Sequence, residues 1–190
     1  MVDNFGKIKS FLETESDDDF FFLQVLKRKK ENPDIGSNSY CLKTYYVSSR
    51  EYLEKKRKEI IDLCDSNNAR AYINLNRRSY EKMAFHVLKK LSDQIMNKDY
   101  KSVKKSYDSV CGSFSNEKNK KWIIDIDSKD TEFIESVKSY VEDIQGDFYD
   151  LIPTKNGFHI ITSPFNLSFF REKYNDVDVH KDNPTILYIP

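Results

Sequence analysis

A short apolar segment in the second half of the chain carries two carboxylates at alternate positions. The segment WIIDID, residues 122–127, has the composition of a buried strand. Side chains two residues apart on a strand point to the same face, so Asp125 and Asp127 would lie side by side. Neighbouring carboxylates repel each other unless a cation neutralises them, and Mg²⁺ or Mn²⁺ prefers such oxygen ligands. The pattern indicates a divalent metal site or, alternatively, a strand end with two exposed aspartates.

A second polar group follows in the segment PTKNGFHII. Its Asn156-Gly157 pair predicts a tight turn between two strands. Thr154, Lys155 and Asn156 would supply a hydroxyl, a cation and a backbone turn beside His159, a set suited to a triphosphate. The alternative is a structural role for this single strand histidine.

Two further groups could contribute to phosphate chemistry. Asp178, in the alternating segment DVDVH, could supply a third carboxylate to the metal, or it could be an exposed edge-strand residue. Arg77 and Arg78 precede Ser79, which can cap a helix. Two arginines at such a strand-to-helix junction could bind phosphate, although a surface pair would have the same pattern.

The composition sets limits on the class of protein. The chain has 190 residues, 38% hydrophobic and 14% aromatic, which allows a sizeable core. Basic and acidic residues number 31 each, so the net charge neither supports nor excludes nucleic-acid binding. The three cysteines lack zinc-ligand spacing, so no zinc site is predicted. No apolar run approaches the length of a membrane span, and we expect a cytoplasmic protein.

The elements that must position these residues fall into two parts. An α/β module is predicted over residues 1–112, and the polar segment 113–120 would connect it to residues 121–190. In the module, the predicted helices are 3–13, 48–67, 79–97 and 99–111, and the predicted strands are 20–26, 40–47 and 69–75. The second part is predicted to have strands at 121–127, 147–153, 157–163, 176–180 and 185–189, with helices at 130–145 and 166–173. Up to residue 180 this is the order β-α-β-β-α-β, which predicts an α+β protein with an RNA-recognition-like or ferredoxin-like sheet.

Taken in order, the motifs of the second part resemble the archaeo-eukaryotic primase superfamily, especially the compact primase-polymerases of phages and plasmids. The likeness rests on hydrophobic-Asp-hydrophobic-Asp at 124–127, Thr-x-Asn-Gly-x-His at 154–159 and hydrophobic-Asp-hydrophobic at 177–179. It implies an RNA-recognition-like catalytic palm that joins nucleotides through two metal ions. By position, Asp125, Asp127 and Asp178 would be the metal ligands, and His159 would contact the phosphates of the incoming nucleotide.

The resemblance also implies partners. These are a nucleic-acid template and primer, nucleoside triphosphates, and a helicase or other replication protein, in a phage- or plasmid-encoded setting without a membrane. The zinc-binding element and accessory domain common in that family are not visible here. Two other functions remain open: a metal-dependent nuclease or phosphodiesterase with a water nucleophile, and a non-catalytic nucleic-acid-binding relative that kept the palm shape.

Overall fold

Two antiparallel sheets organise the protein. The computed structural model describes residues 1–36, 38–115 and 117–190. Within these ranges one sheet has six strands and the other has four, and six α-helices accompany them. The expected α+β class is confirmed at this level.

The first sheet is built mainly from the N-terminal half. Its strands are β1 (Val2–Asp3), β2 (Asp19–Lys27), β3 (Tyr40–Val47), β4 (Arg70–Ile73), β5 (Arg78–Ser79) and β10 (Thr185–Ile189). Their order is β1-β10-β4-β2-β3, and β5 pairs with the start of β2. Helices α1 (Phe5–Lys9) and α2 (Arg50–Asn67) share a core with one face of this sheet. Helices α3 (Tyr80–Met96) and α4 (Ser106–Ser113) pack on Phe20 and Phe22, which point to the other face.

The second sheet alternates strands and helices as predicted. Its elements are β6 (Trp122–Ile126), α5 (Thr131–Asp143), β7 (Phe148–Pro153), β8 (Phe158–Thr162), α6 (Leu167–Lys173) and β9 (Asp178–His180). The strand order is β7-β8-β6-β9, with every pairing antiparallel. Ile124 and Ile160 pack on α5 and α6, whereas Ile123 and Ile161 join the core of the first sheet. The alternation of β6 and β8 therefore directs one face to the helices and the other towards the first sheet.

Local signals explain most helix boundaries. Ser49 accepts a hydrogen bond from the Tyr52 amide at the start of α2, and Asp130 caps α5 in the same way. Helix α2 ends at Asn68, whose left-handed backbone (φ 47°) suits an asparagine. Helix α1 is shorter than the predicted 3–13, because residue 3 pairs with β10 as part of β1.

The last strand departs from the predicted grouping with the second part. β10 lies between β1 and β4 in the first sheet, and all five of its residues are buried, as expected for an inner strand. The chain therefore crosses between the sheets twice, between α4 and β6 and again between β9 and β10. The division of the chain at 113–120 stays a prediction. The strand at 185–189 follows that division in the sequence but pairs in the first sheet. Across the described residues, no helix combines the length and apolarity needed to cross a bilayer.

Candidate functional site

Strand register brings Asp125 and His159 together. Asp125 lies on β6, the inner strand between β8 and β9, and it pairs with His159 on β8 and with Asp178 on β9. Directly opposed residues of antiparallel strands point to the same face. The Asp125 Oδ1 atom lies 3.4 Å from His159 Nε2. Two of the residues singled out from the sequence thus form a direct side-chain pair.

The His159 ring connects the two sheets. Its Nδ1 atom lies 2.8 Å from the hydroxyl oxygen of Thr185, which is completely buried on β10. With Asp125 at the other nitrogen, both ring nitrogens have partners, so the ring orientation is fixed. The contact with His159 holds the pKa of Asp125 below its ordinary value, because it outweighs the opposing effect of burial. Asp125 is therefore an ionised carboxylate at neutral pH.

The other two carboxylates differ in their placement. Asp127 follows the end of β6 and lines the same cleft as Asp125 and His159. Asp178 begins β9, is exposed, and does not line that cleft. In the part of the chain that the structure describes, no three His, Cys, Asp or Glu side chains are grouped closely enough to hold a metal ion. Asp125 and Asp127 thus line one cleft, whereas the role of Asp178 as a third metal ligand stays a prediction.

A hairpin tip forms the wall next to Asp127. The turn between β7 and β8 is closed by two hydrogen bonds, from the Thr154 amide to the Gly157 carbonyl (2.9 Å) and from the Gly157 amide to the Thr154 hydroxyl (3.1 Å). A Cβ atom at Gly157 would lie only 1.9 Å from the carbonyl oxygen of Ile126. Glycine is thus required for the tip to approach the end of β6. The turn predicted at this position is confirmed, and Thr154, Lys155 and Asn156 all line the cleft.

The opposite wall of the cleft comes from the first sheet, which the sequence analysis did not assign to the site. The cleft has a volume of about 620 Å³, and its lining includes Arg28, Lys30, Arg70 and Tyr72. Arg28 donates a hydrogen bond to the Tyr72 hydroxyl (3.3 Å). The alternation of β4 already places residues 70 and 72 on one face, which is the signal that could have identified them. The carboxylates Asp125 and Asp127 therefore share the cleft with three cations of the first sheet, one of which, Arg70, is paired with Glu31 in the same lining.

Arg70 has an unusual environment among these cations. It is 8% exposed and forms an ion pair with Glu31, and among the described residues no group accepts a hydrogen bond from its buried Nε atom. An unsatisfied buried donor is costly to stability. Arg70 also lines a second cavity of about 850 Å³, to which Lys129 contributes and which shares Lys30 and Lys155 with the cleft. A polyanion could extend from one cavity into the other.

The two arginines expected to bind phosphate have other partners. Arg78 is completely buried, where it contacts both carboxylate oxygens of Asp182 (3.1 and 3.3 Å) and donates to the Cys111 carbonyl (2.9 Å). Arg77 pairs with Glu117 (2.7 Å) and with two other carboxylates, which raises its pKa. Neither residue lines the cleft. The expectation is corrected: both guanidinium groups form ion pairs with carboxylates of this chain, so their role is structural.

The donor set fits a particular kind of metal binding. Mg²⁺ is commonly held by one or two carboxylates together with substrate phosphates and water. Asp125 and Asp127 provide the two carboxylates, and the cationic wall provides contacts for phosphates. The cleft thus suits a metal that arrives with a polyphosphate better than a metal held by protein ligands alone.

Comparison of the chain with models of protein families, with curated proteins and with solved structures finds no match to any of them. The residues of the cleft and the topology around it are therefore what indicates a function.

Proposed function

We propose that the cleft binds a nucleoside triphosphate with Mg²⁺ or Mn²⁺ and transfers its nucleotide to a nucleic-acid chain, as in a primase-polymerase. The observation that carries this proposal is the shared cleft, in which Asp125, Asp127 and His159 face Arg28 and Arg70. Carboxylates suit metal binding, and the cations suit phosphates. A site with both is typical of nucleotidyl transfer, where the protein mostly positions charge.

The topology of the second sheet supports the same proposal. Counted from β6, its four strands lie in the order 2-3-1-4, joined as β-α-β-β-α-β. This is the connectivity of the split βαβ sheet found in RNA-recognition-like and ferredoxin-like domains. The proposed palm therefore has Asp125 on its first strand and His159 on its third. The likeness of this pattern to the primase superfamily remains part of the proposal.

In this reaction a 3′-hydroxyl loses its proton to solvent and attacks the α-phosphorus, and pyrophosphate leaves with the electron pair of the broken P–O bond. A metal held there would supply positive charge that favours deprotonation of the hydroxyl and departure of pyrophosphate. The role of Asp125 and Asp127 is to hold that charge at the α-phosphate. Lys155 and Arg28, on opposite walls, bind the outer phosphates, and His159 orients Asp125 through one ring nitrogen while Thr185 holds the other.

The second cavity supports a polynucleotide as the acceptor. It adjoins the cleft and adds Lys129 to the shared Lys30, Arg70 and Lys155. A mononucleotide would occupy the cleft alone, whereas a chain would place further phosphates along this path.

The test is incorporation of a labelled nucleoside triphosphate into a primed and an unprimed DNA template. Asp125→Asn and Asp127→Asn are each expected to lower incorporation by roughly 10²-fold or more, because preorganised charge is lost. Asp143→Asn, at the end of α5 and outside the cleft, is the matched control and should retain full activity. Circular dichroism checks that each variant is folded.

Two results would contradict the proposal. Normal incorporation by either cleft variant would exclude the assigned site. Cleavage of labelled DNA without any incorporation would replace the proposal with a nuclease. Calorimetry gives an independent reading of the site: Mn²⁺ should bind much more tightly with the triphosphate than alone, and Asp127→Asn should remove that difference.

A further inference from the structure

Exposed apolar side chains are concentrated on one part of the surface. Twelve large hydrophobic side chains are exposed among the described residues, and eight of them lie between residues 80 and 114. Soluble proteins rarely expose contiguous apolar patches without a binding role. The region consists of α3, α4 and their connection, and it is distinct from the cleft, whose lining includes none of these residues.

The centre of this surface is one side of α3. Phe85, Leu88, Ile95 and Met96, which we call the α3 apolar face, are 66%, 63%, 57% and 80% exposed. Their spacing of three, seven and one residues keeps them on one side of a helix. The opposite side of α3 already packs on the protein through Met83, and it bonds to α4 through Gln94 and Ser106 (2.6 Å). The helix therefore has one side that packs on the protein and one apolar side that is exposed to solvent.

The charge around this face indicates what covers it. Residues 80–105 contain seven lysines and three acidic residues, in a chain whose total charge is zero. Lys82 and Lys89, one heptad apart, flank the apolar face along the helix, and Lys98 and Lys101 follow its end. An occupant of this surface must thus offer apolar side chains to the face and negative charge to its borders.

We infer that the α3 apolar face docks an acidic amphipathic helix of a partner protein. Such a helix would place Leu or Phe side chains on the face and Glu or Asp side chains against the lysines. A second copy of this chain would instead bring lysines against lysines. Single-stranded nucleic acid would satisfy the lysines and could stack on Phe85, but the other three residues of the face, Leu88, Ile95 and Met96, give bases no aromatic ring.

The test uses two synthetic helical peptides of about four turns. Both carry Leu at one-face spacing, and the other positions are Glu in the acidic peptide and Lys in the basic one. The acidic peptide is expected to bind, to perturb the backbone amide signals of α3, and to bind more weakly as salt is raised. The basic peptide should bind at least tenfold more weakly. Equal binding of both peptides, or no binding of the acidic one, would overturn the inference.

Variants locate the binding surface. Leu88→Gln with Ile95→Gln puts a polar side chain at both positions, with a helix propensity equal to that of Leu and better than that of Ile. The double variant should bind the acidic peptide at least tenfold more weakly. Phe169→Gln, an exposed aromatic on α6, is the matched control and should bind as the unaltered chain does. Unchanged binding by the double variant would overturn the inference.

Two measurements distinguish the other occupants. Sedimentation that shows a dimer, lost in the double variant, with no binding of the acidic peptide, would assign the face to a second copy. Loss of single-stranded DNA binding in the double variant, again without peptide binding, would assign it to nucleic acid. Nucleotide incorporation should be the same in the double variant and the unaltered chain. A failure of the peptide test would therefore leave the proposed function of the cleft unaffected, and the reverse also holds.

Discussion

Replacing Arg78 with methionine should destabilise the whole protein. The guanidinium is completely buried and contacts both carboxylate oxygens of Asp182, and it also donates to the carbonyls of Cys111 and Asn76. Methionine fills much of the same space but makes none of these bonds. The substitution leaves the largely buried Asp182 carboxylate without its cationic partner, although the Asn76 amide still donates to it (3.0 Å), and it removes the Arg78 donors from two carbonyl groups.

The expected size follows from what is left unpaired. Removing one partner of a buried ion pair typically costs ~3–5 kcal/mol. For a chain of this length, each kcal/mol lowers Tm by ~2–4 °C, so the expected fall is roughly 6–20 °C. Burial also lowers the pKa of Arg78 and raises that of Asp182, because each charged group loses hydration.

Urea unfolding at neutral pH measures the effect. Arg171→Met, on the exposed surface of α6, is the control and should change the unfolding free energy by less than ~0.5 kcal/mol. The double variant Arg78→Met with Asp182→Leu should lose less than the sum of the two single changes, because no charge is left buried alone. A loss below ~1 kcal/mol for Arg78→Met would refute the structural role assigned to this residue.

Three further predictions concern the cleft. Gly157→Ala should lower the unfolding free energy by ~1–3 kcal/mol, since its methyl group would collide with the end of β6, whereas Gly6→Ala, with open space around it, should be neutral or stabilising in a urea titration. Thr185→Val should cost ~1–3 kcal/mol by the same measurement and change the ring-nitrogen NMR shifts of His159, because a buried hydrogen bond is lost. The folded-state pKa of Asp125 is lowered, so its contribution to stability is complete above the unfolded pKa of about 4 and is lost as pH falls through the folded value. Carboxyl NMR titration should show this pKa rising in His159→Asn, and an unchanged pKa would contradict the assigned cause.

The sequence predicts well those features that depend on neighbouring residues. The alternation of β6 and the turn at Asn156-Gly157 locate the strands that carry Asp125 and His159, although not the long-range pairing of β6 with β8 that makes these residues partners. The boundaries set by Ser49 and Asp130 follow from side-chain capping within the same turn. In each case the deciding interaction spans a few residues or a single hairpin.

The errors involve interactions between distant parts of the chain. Arg77 and Arg78 have the local pattern of a phosphate site, but acidic residues as far away as Asp182 neutralise them. Arg70 lines the cleft although its strand, β4, belongs to the other sheet and lies far from β6 in the sequence. The left-handed residue that follows α5 is Gln145 (φ 69°) rather than a glycine. Gly146 is instead needed for space, as a Cβ there would lie 2.6 Å from a Val141 methyl group.

The return of β10 to the first sheet determines how the protein can be divided into fragments. A cut in the connection between α4 and β6 would leave two fragments, and the C-terminal one would carry an inner strand of the other's sheet. The backbone hydrogen bonds of β10 to β1 and β4, and the buried side chains of Thr185–Ile189, would still hold the two fragments together. Separately expressed fragments should therefore recognise each other and rebuild the cleft, as a split protein whose two halves complement only when mixed.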